Sequence, residues 1–183
     1  MISLQEQSKK VTESITFRLE KSFIDKLKDD SGQKQISLNS LVGHIFKQYL
    51  DWNSNAGRAL LVPFPRALLV KIMDKMSDEE IVDLAKYIAD EEIEDIILLL
   101  KSNYTPQSFL DVIVSWLDVS NMPYRHSENG AIHSYVIQHD MSKKWSLYLG
   151  ELFKHVFENL LKRRFDYTIT KNTIAFKVDL GKD

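Results

Sequence analysis

Histidine is the residue type in this chain whose chemistry depends most on spacing, since an imidazole can bind a metal ion or move a proton. The chain has five histidines and no cysteine, which removes thiolate ligands and disulfides. His133 and His139 share one face of a predicted strand but lie six residues apart, about 20 Å along it. His126 can approach His133 across the turn at Asn129-Gly130. No tight metal-binding spacing results, so the sequence predicts no metal and no cofactor.

Other catalytic patterns are incomplete. His139-Asp140 is half of a hydrolytic triad, but no nucleophile elbow accompanies it. The six glycines are scattered, so no phosphate-binding loop is indicated. Four aromatic residues could line a ligand pocket, although aromatics at helical spacing usually form the core: Trp116, Trp145, Phe153 and Phe157. We therefore predict that the protein is not an enzyme.

A short alternating segment near the amino terminus offers different chemistry. Ile15, Phe17 and Leu19 fall on one side of a predicted strand, and polar residues alternate with them. A single strand is not stable alone, whereas two copies from two chains would form a ribbon that fits the major groove of DNA. The segment therefore favours a dimer that binds double-stranded DNA.

Two helices are predicted directly after this strand. The first runs from about Lys21 to Asp30, with Phe23, Ile24 and Leu27 inward, and ends near Gly32. The second is capped by Ser37. It has an apolar stripe at helical spacing, made of Leu41, Val42, Ile45, Phe46, Tyr49 and Leu50. One strand and two helices cannot enclose a core, but an intertwined homodimer can.

The rest of the chain predicts helices followed by a small antiparallel sheet packed on a long helix. Caps are expected at Ser77 with Glu80, at Thr105 before Pro106, and at Ser142. Hairpins are expected around Asn129-Gly130 and Lys171-Asn172. The fold class is therefore α+β, with an amino-terminal DNA-binding domain over residues 1–52, a linker over 53–62 and an α+β effector or oligomerisation domain over 63–183.

Composition limits the possible partners. The net charge is -2, and residues 1–52 carry a balance of only +1, from eight basic and seven acidic side chains. A surface that attracts nucleic acid everywhere is thus excluded, and affinity for DNA must come from local placement. No apolar stretch approaches the roughly 20 residues of a membrane span, and no secretory signal is present. We expect a soluble, cytoplasmic protein that does not bind membranes.

Residues 13–52 resemble the ribbon-helix-helix family of transcription regulators, which includes the Arc and MetJ repressors, in the order, spacing and apolar pattern of their elements. The resemblance implies that the outward strand residues Ser14, Thr16 and Arg18 contact DNA bases. It also implies that the start of the second helix binds phosphate through Ser37, Leu38 and Asn39, and we add Lys21 to this phosphate-contacting set. The family often has glycine where this chain has Gln35.

Together these patterns predict a sequence-specific transcription regulator, a repressor rather than an activator, that acts as a homodimer or a dimer of dimers. Arg18 is the preferred specificity residue, because a guanidinium can donate two hydrogen bonds to guanine. The second domain is expected to bind a small-molecule or protein effector, or to assemble dimers. The alternative is an antitoxin-like protein whose carboxy-terminal part binds a protein partner.

Overall fold

The computed structural model describes residues 12–57, 59, 61 and 63–181. The chain divides into two compact units, unit 1 over Met1–His44 and unit 2 over Ile45–Asp183. The helices are α1 Lys21–Gln33, α2 Leu38–Gln48, α3 Ser54–Ala56, α4 Arg66–Met73, α5 Asp78–Glu91, α6 Ile93–Lys101, α7 Pro106–Val119 and α8 Lys143–Lys154. The strands are β1 Tyr124–Asn129, β2 Ile132–Gln138, β3 Phe165–Ile169 and β4 Thr173–Asp179. The predicted α+β class is therefore confirmed.

Unit 1 contains α1, the first part of α2 and a tight connection between the two helices. The Ile36 amide donates to the Ser31 carbonyl at 3.0 Å, which closes the end of α1. Gln35 lies in the left-handed region, with φ of 54°. Ser37 caps α2 as predicted, since its Oγ accepts from the Ser40 amide at 3.0 Å. Both helices and the cap thus follow from local sequence signals.

The predicted strand over Ser14–Leu19 is absent from the structure. Residues 12–20 have no strand hydrogen bonds and are exposed, and the first regular element of the described chain is α1. A strand needs a second strand for its backbone hydrogen bonds, and a single chain offers none at this position. Phe23, predicted to face inward, is also exposed, at 53%.

Helical structure continues after α2, past residue 52, the end of the predicted first domain. A π-helical segment, Tyr49–Asn53, follows α2, and α3 follows that segment, so the predicted linker over 53–62 begins within helical structure. Arg58, Leu60 and Val62 of that range lie outside the described residues, as do residues 1–11 of the predicted first domain. The division into compact units falls earlier, between His44 and Ile45.

The predicted caps fix the helices of unit 2. Ser77 and Glu80 form a complete capping box at the start of α5. Thr105 caps α7 ahead of Pro106, and the Ser142 Oγ accepts from the Trp145 amide at the start of α8. Each cap satisfies amides that a helix leaves without internal partners.

The four strands form one antiparallel sheet in the order β1-β2-β4-β3. The Asn129-Gly130 signal gives the predicted β1–β2 hairpin, and Gly130 has a positive φ of 61°. The predicted closing hairpin pairs Phe165 with Val178 and Tyr167 with Phe176. The face of the sheet that carries Phe165 is buried. Its buried side chains are Phe165, Tyr135, Ile137, Ile174, Phe176 and Val178.

Helix α8 packs against this sheet, as predicted, and Gly150 lies at the contact. A Cβ at Gly150 would lie 2.2 Å from Cε2 of Tyr167, so any side chain there would clash with the ring. The Tyr167 hydroxyl donates to the carboxylate of Glu151 on the same helix. The small residue thus sets the distance between helix and sheet.

Among the described residues, no helix is both long and apolar enough to cross a membrane.

Candidate nucleic-acid interface and apolar cavity

The predicted base-contacting residues lie ahead of α1, in a segment without regular secondary structure. Ser14, Thr16 and Arg18 are all exposed, and Lys21, the first residue of α1, is exposed as well. Their hydroxyls, guanidinium and ammonium are hydrogen-bond donors that suit base edges and phosphates. The structure leaves these groups accessible but does not form the strand that would align them.

The predicted phosphate-contacting residues form the first turn of α2. Ser37 is the cap, and Leu38 and Asn39 are the first two residues of an eleven-residue helix. The amides of Leu38 and Asn39 have no acceptor within the helix, because the first four amides of any α-helix lack one. This end of the helix also carries the positive pole of its dipole. The predicted local geometry for an anion is thus present.

Unit 2 contains an apolar cavity of about 510 Å³. It lies where the π-helical segment, the residues before α4, and the facing ends of α7 and α8 approach one another. Trp52, Trp116 and Trp145, the three tryptophans of the chain, all line it. A second cavity of about 200 Å³ shares these tryptophans and Leu61. The volume of the first cavity, about 510 Å³, is typical of small-molecule sites.

One buried donor in the cavity wall has no acceptor. Trp145 is 9% exposed, and its indole Nε1 has no hydrogen-bond partner among the residues that the structure describes. A buried donor without an acceptor costs about 1–3 kcal/mol. The exposed area of this atom is below 1 Å², so a molecule in the cavity would reach it only if the indole turned.

A cation lies at the edge of the same cavity. Arg66 donates through its guanidinium to the carbonyls of Ser120 and Asn121, which follow the end of α7. This places positive charge at the negative end of a helix, where it is stabilised. The lining therefore combines aromatic surface with hydrogen-bond donors.

Sequence periodicity correctly predicted part of this aromatic set. Phe153 and Phe157 are core residues, exposed by 3% and 0%. Trp116 is only half-buried, and together with Trp145 it borders the cavity. No sequence pattern identified Trp52 as a cavity residue, because the cavity depends on how three segments distant in sequence meet.

His139 and Ser146 form a buried pair that lacks the geometry of a catalytic dyad. His139 Nε2 lies 2.7 Å from Ser146 Oγ, and His139 Nδ1 accepts from the Met141 amide at 3.1 Å. Nε2 must therefore carry the ring proton, so it cannot accept one from serine. The Ser146 hydroxyl donates to the Thr170 carbonyl at 2.8 Å. Both side chains are fully buried, and burial lowers the pKa of His139.

No family model, no curated protein and no solved structure matches this chain.

Proposed function

We propose that the protein is a sequence-specific DNA-binding transcription regulator that acts as a homodimer through residues 13–50. The observation that carries the proposal is the exposed apolar surface of unit 1. Ile15 is 74% exposed and Leu19 49% exposed, although both alternate with polar residues in the pattern of a half-buried strand. Soluble chains usually cover such a surface, and contiguous exposed apolar residues mark interaction sites.

A second copy of the chain would satisfy both the side chains and the backbone of this segment. Pairing two copies of residues 14–19 would supply the strand hydrogen bonds that one chain lacks. Ile15 and Leu19 would then face the helices of the dimer, and Ser14, Thr16 and Arg18 would face outward. A two-stranded ribbon of this kind fits the major groove.

The start of α2 would hold the ribbon in place by binding phosphate. In the dimer, two such helix ends are available, one from each chain. Phosphate contacts contribute affinity without sequence information, whereas contacts to base edges select the sequence. The low local charge of residues 1–52, only +1, favours a protein that uses helix ends and several subunits over one that uses a basic patch.

The test compares two classes of variant with the full-length protein on a panel of duplexes. Arg18→Ala should reduce discrimination at one base-pair position by about 10- to 100-fold, equivalent to about 1–3 kcal/mol. Asn39→Asp should weaken all duplexes by a similar factor, because it places a negative charge beside phosphate. Lys86→Ala removes an exposed cation from α5. It is the control for the loss of one positive charge in Arg18→Ala. Unchanged discrimination in Arg18→Ala would remove that residue from the specificity role.

Repression is the mode that this proposal favours, because a small dimer on an operator blocks polymerase without further machinery. The proposal includes a cytoplasmic location, where the protein would have access to DNA in a cell without a nucleus. Co-purification of a stoichiometric protein partner would instead favour the antitoxin-like alternative.

We further propose that the tryptophan-lined cavity of unit 2 is the effector site. Its aromatic walls and the nearby Arg66 suit a flat apolar molecule that carries a carbonyl or carboxylate, and the Nε1 of Trp145 would add a donor if the indole turned toward that molecule. Because all tryptophans of the chain line the cavity, intrinsic fluorescence reports directly on it.

A fluorescence titration with aromatic carboxylates tests this part of the proposal. Trp145→Phe removes the donor together with part of the aromatic wall, so it should weaken binding by about tenfold, the equivalent of roughly 1.5 kcal/mol. Without ligand the same variant should be somewhat less stable than the wild type, because a smaller ring leaves a void at a buried position. Equal affinities in wild type and variant would show that Nε1 does not contact the ligand.

A further inference from the structure

Three potential metal ligands converge on the β1–β2 hairpin. His126 and Glu128 belong to β1, and His133 belongs to β2. One ligand atom from each lies within 4.8 Å of the others. The Nε2 of His126 and the Nδ1 of His133 are only 3.1 Å apart, which confirms the predicted approach of these two residues across the turn.

The register of the hairpin explains the cluster. Glu128 is directly opposite His133, and His126 is directly opposite Tyr135, so all three ligands point to the same side of the sheet. The ring of His126 also stacks on Tyr135, with centroids 4.3 Å apart. Tyr135 is itself buried, and this contact supports one wall of the cluster. The arrangement is thus built into the strands.

We propose that His126, Glu128 and His133 bind a divalent transition-metal ion. Nitrogen ligands about 2.0–2.1 Å from one ion, at angles between 90° and tetrahedral, lie about 2.9–3.4 Å from each other. The observed 3.1 Å between the two imidazole nitrogens falls in that range. The two rings are nearly parallel, with an interplanar angle of 9°, and a hydrogen bond joins the two nitrogens. A metal ion would replace the proton between them once each ring turned its lone pair toward the ion. Glu128 is exposed and has the rotational freedom to complete the site.

The donor set indicates which ions the site would take. Two imidazoles and one carboxylate suit Zn²⁺, Ni²⁺, Cu²⁺ and Co²⁺, whereas Mg²⁺ and Ca²⁺ require mostly oxygen ligands. Three protein ligands leave at least one coordination position for water or for a group from another molecule. Bound metal would also link the edge strand β1 to β2 by side chains as well as by backbone.

The direct test is calorimetric titration of the untagged full-length protein with Zn²⁺ and Ni²⁺, together with the visible absorption of bound Co²⁺. The wild type should bind one ion per chain, and His126→Ala and His133→Ala should each weaken binding at least about tenfold. His155→Ala, which removes a histidine that bonds Asp90 elsewhere in unit 2, is the matched control and should bind like the wild type. Glu128→Gln changes an exposed residue and provides a variant that keeps the hairpin folded.

Two outcomes would overturn the proposal. One is a wild-type protein that shows no uptake of any of these ions at micromolar to millimolar concentration. The other is equal binding by wild type, His126→Ala, His133→Ala and Glu128→Gln, which would place the ion elsewhere. The metal titration needs no DNA, so its result is independent of the proposed regulator function.

Discussion

The two units of this chain differ in how they bury apolar residues. In unit 2, helices α5 to α8 and the sheet enclose a continuous core that includes fully buried Ile81, Phe157 and Ile174. In the described part of unit 1, Leu41 is the one buried apolar side chain, while Ile15, Leu19 and Phe23 are about half exposed or more. The same chain thus combines a region with a core of its own and a region without one.

This difference has a physical cause. A sheet of four strands with a helix packed on one side satisfies its backbone and covers its apolar face within one chain. A short segment without regular structure and two helices bury too little surface to offset the conformational entropy of ordering them. Unit 2 should therefore be stable in a single chain, and unit 1 should depend on a second copy.

The largest expected effect is on assembly. Ile15→Asp should raise the dimer dissociation constant at least about 100-fold, because a buried, unpaired carboxylate costs several kcal/mol in each chain. Light scattering across a concentration series measures this change. Ser14→Asp is the matched control: it adds the same charge at the neighbouring position and should leave the dimer intact while weakening DNA binding. A stable wild-type monomer would end the dimer model.

The next effect concerns the tight packing of unit 2. Gly150→Ala should destabilise it by about 1–3 kcal/mol, because the added methyl group overlaps the Tyr167 ring. Denaturation followed by tryptophan fluorescence reports on unit 2 alone, since all three tryptophans belong to it. Gly32→Ala, which adds a methyl group into open space in unit 1, should leave this transition unchanged. Equal transitions for the two variants would mean that α8 and the sheet can separate at little cost.

Unit 2 should also lose stability in mild acid. Burial lowers the pKa of His139 in the folded protein, whereas the unfolded chain takes up the proton near the ordinary pKa of about 6.5. The stabilisation is therefore complete above pH 6.5 and is lost as the pH falls from there through the lower folded pKa. Urea denaturation at several pH values should show this decline. His139→Gln should show a smaller decline, and an identical one would assign the effect to other groups.

The smallest effect belongs to the turn in unit 1. Gln35→Gly should stabilise this unit by about 1 kcal/mol, because a side chain at a left-handed φ costs about that much. Thermal unfolding of the dimer at fixed concentration, followed by circular dichroism, measures it. A loss of stability would show that the Gln35 side chain makes a contact worth more than the backbone strain.

Local signals predicted most elements of unit 2 from sequence. Caps at Ser77, Thr105 and Ser142, and the turn at Asn129-Gly130, each depend on neighbours within a few residues, so they can be read without tertiary information. The strand predicted at Ser14–Leu19 was wrong: these residues are exposed and form no strand, because alternation alone does not supply a second strand to pair with. A repeating pattern shows which residues would share a face but not whether anything covers that face.

The candidate sites of unit 2 were harder to predict. The approach of His126 and His133 followed from the hairpin, but Glu128 was missed, although its position opposite His133 follows from the same turn. The cavity could not be foreseen, because helical spacing identifies the buried face of α7 or α8 and not the space left where Trp52 meets them.

Selection of bound sequences from a random duplex pool by the full-length protein tests the central claim most directly. The proposed dimer predicts enrichment of an inverted repeat whose two half-sites are equivalent, and the Arg18→Ala protein should lose preference at one position in each half. Recovery of no shared sequence at moderate salt, or of a single site without two-fold symmetry, would contradict a homodimeric ribbon that reads DNA.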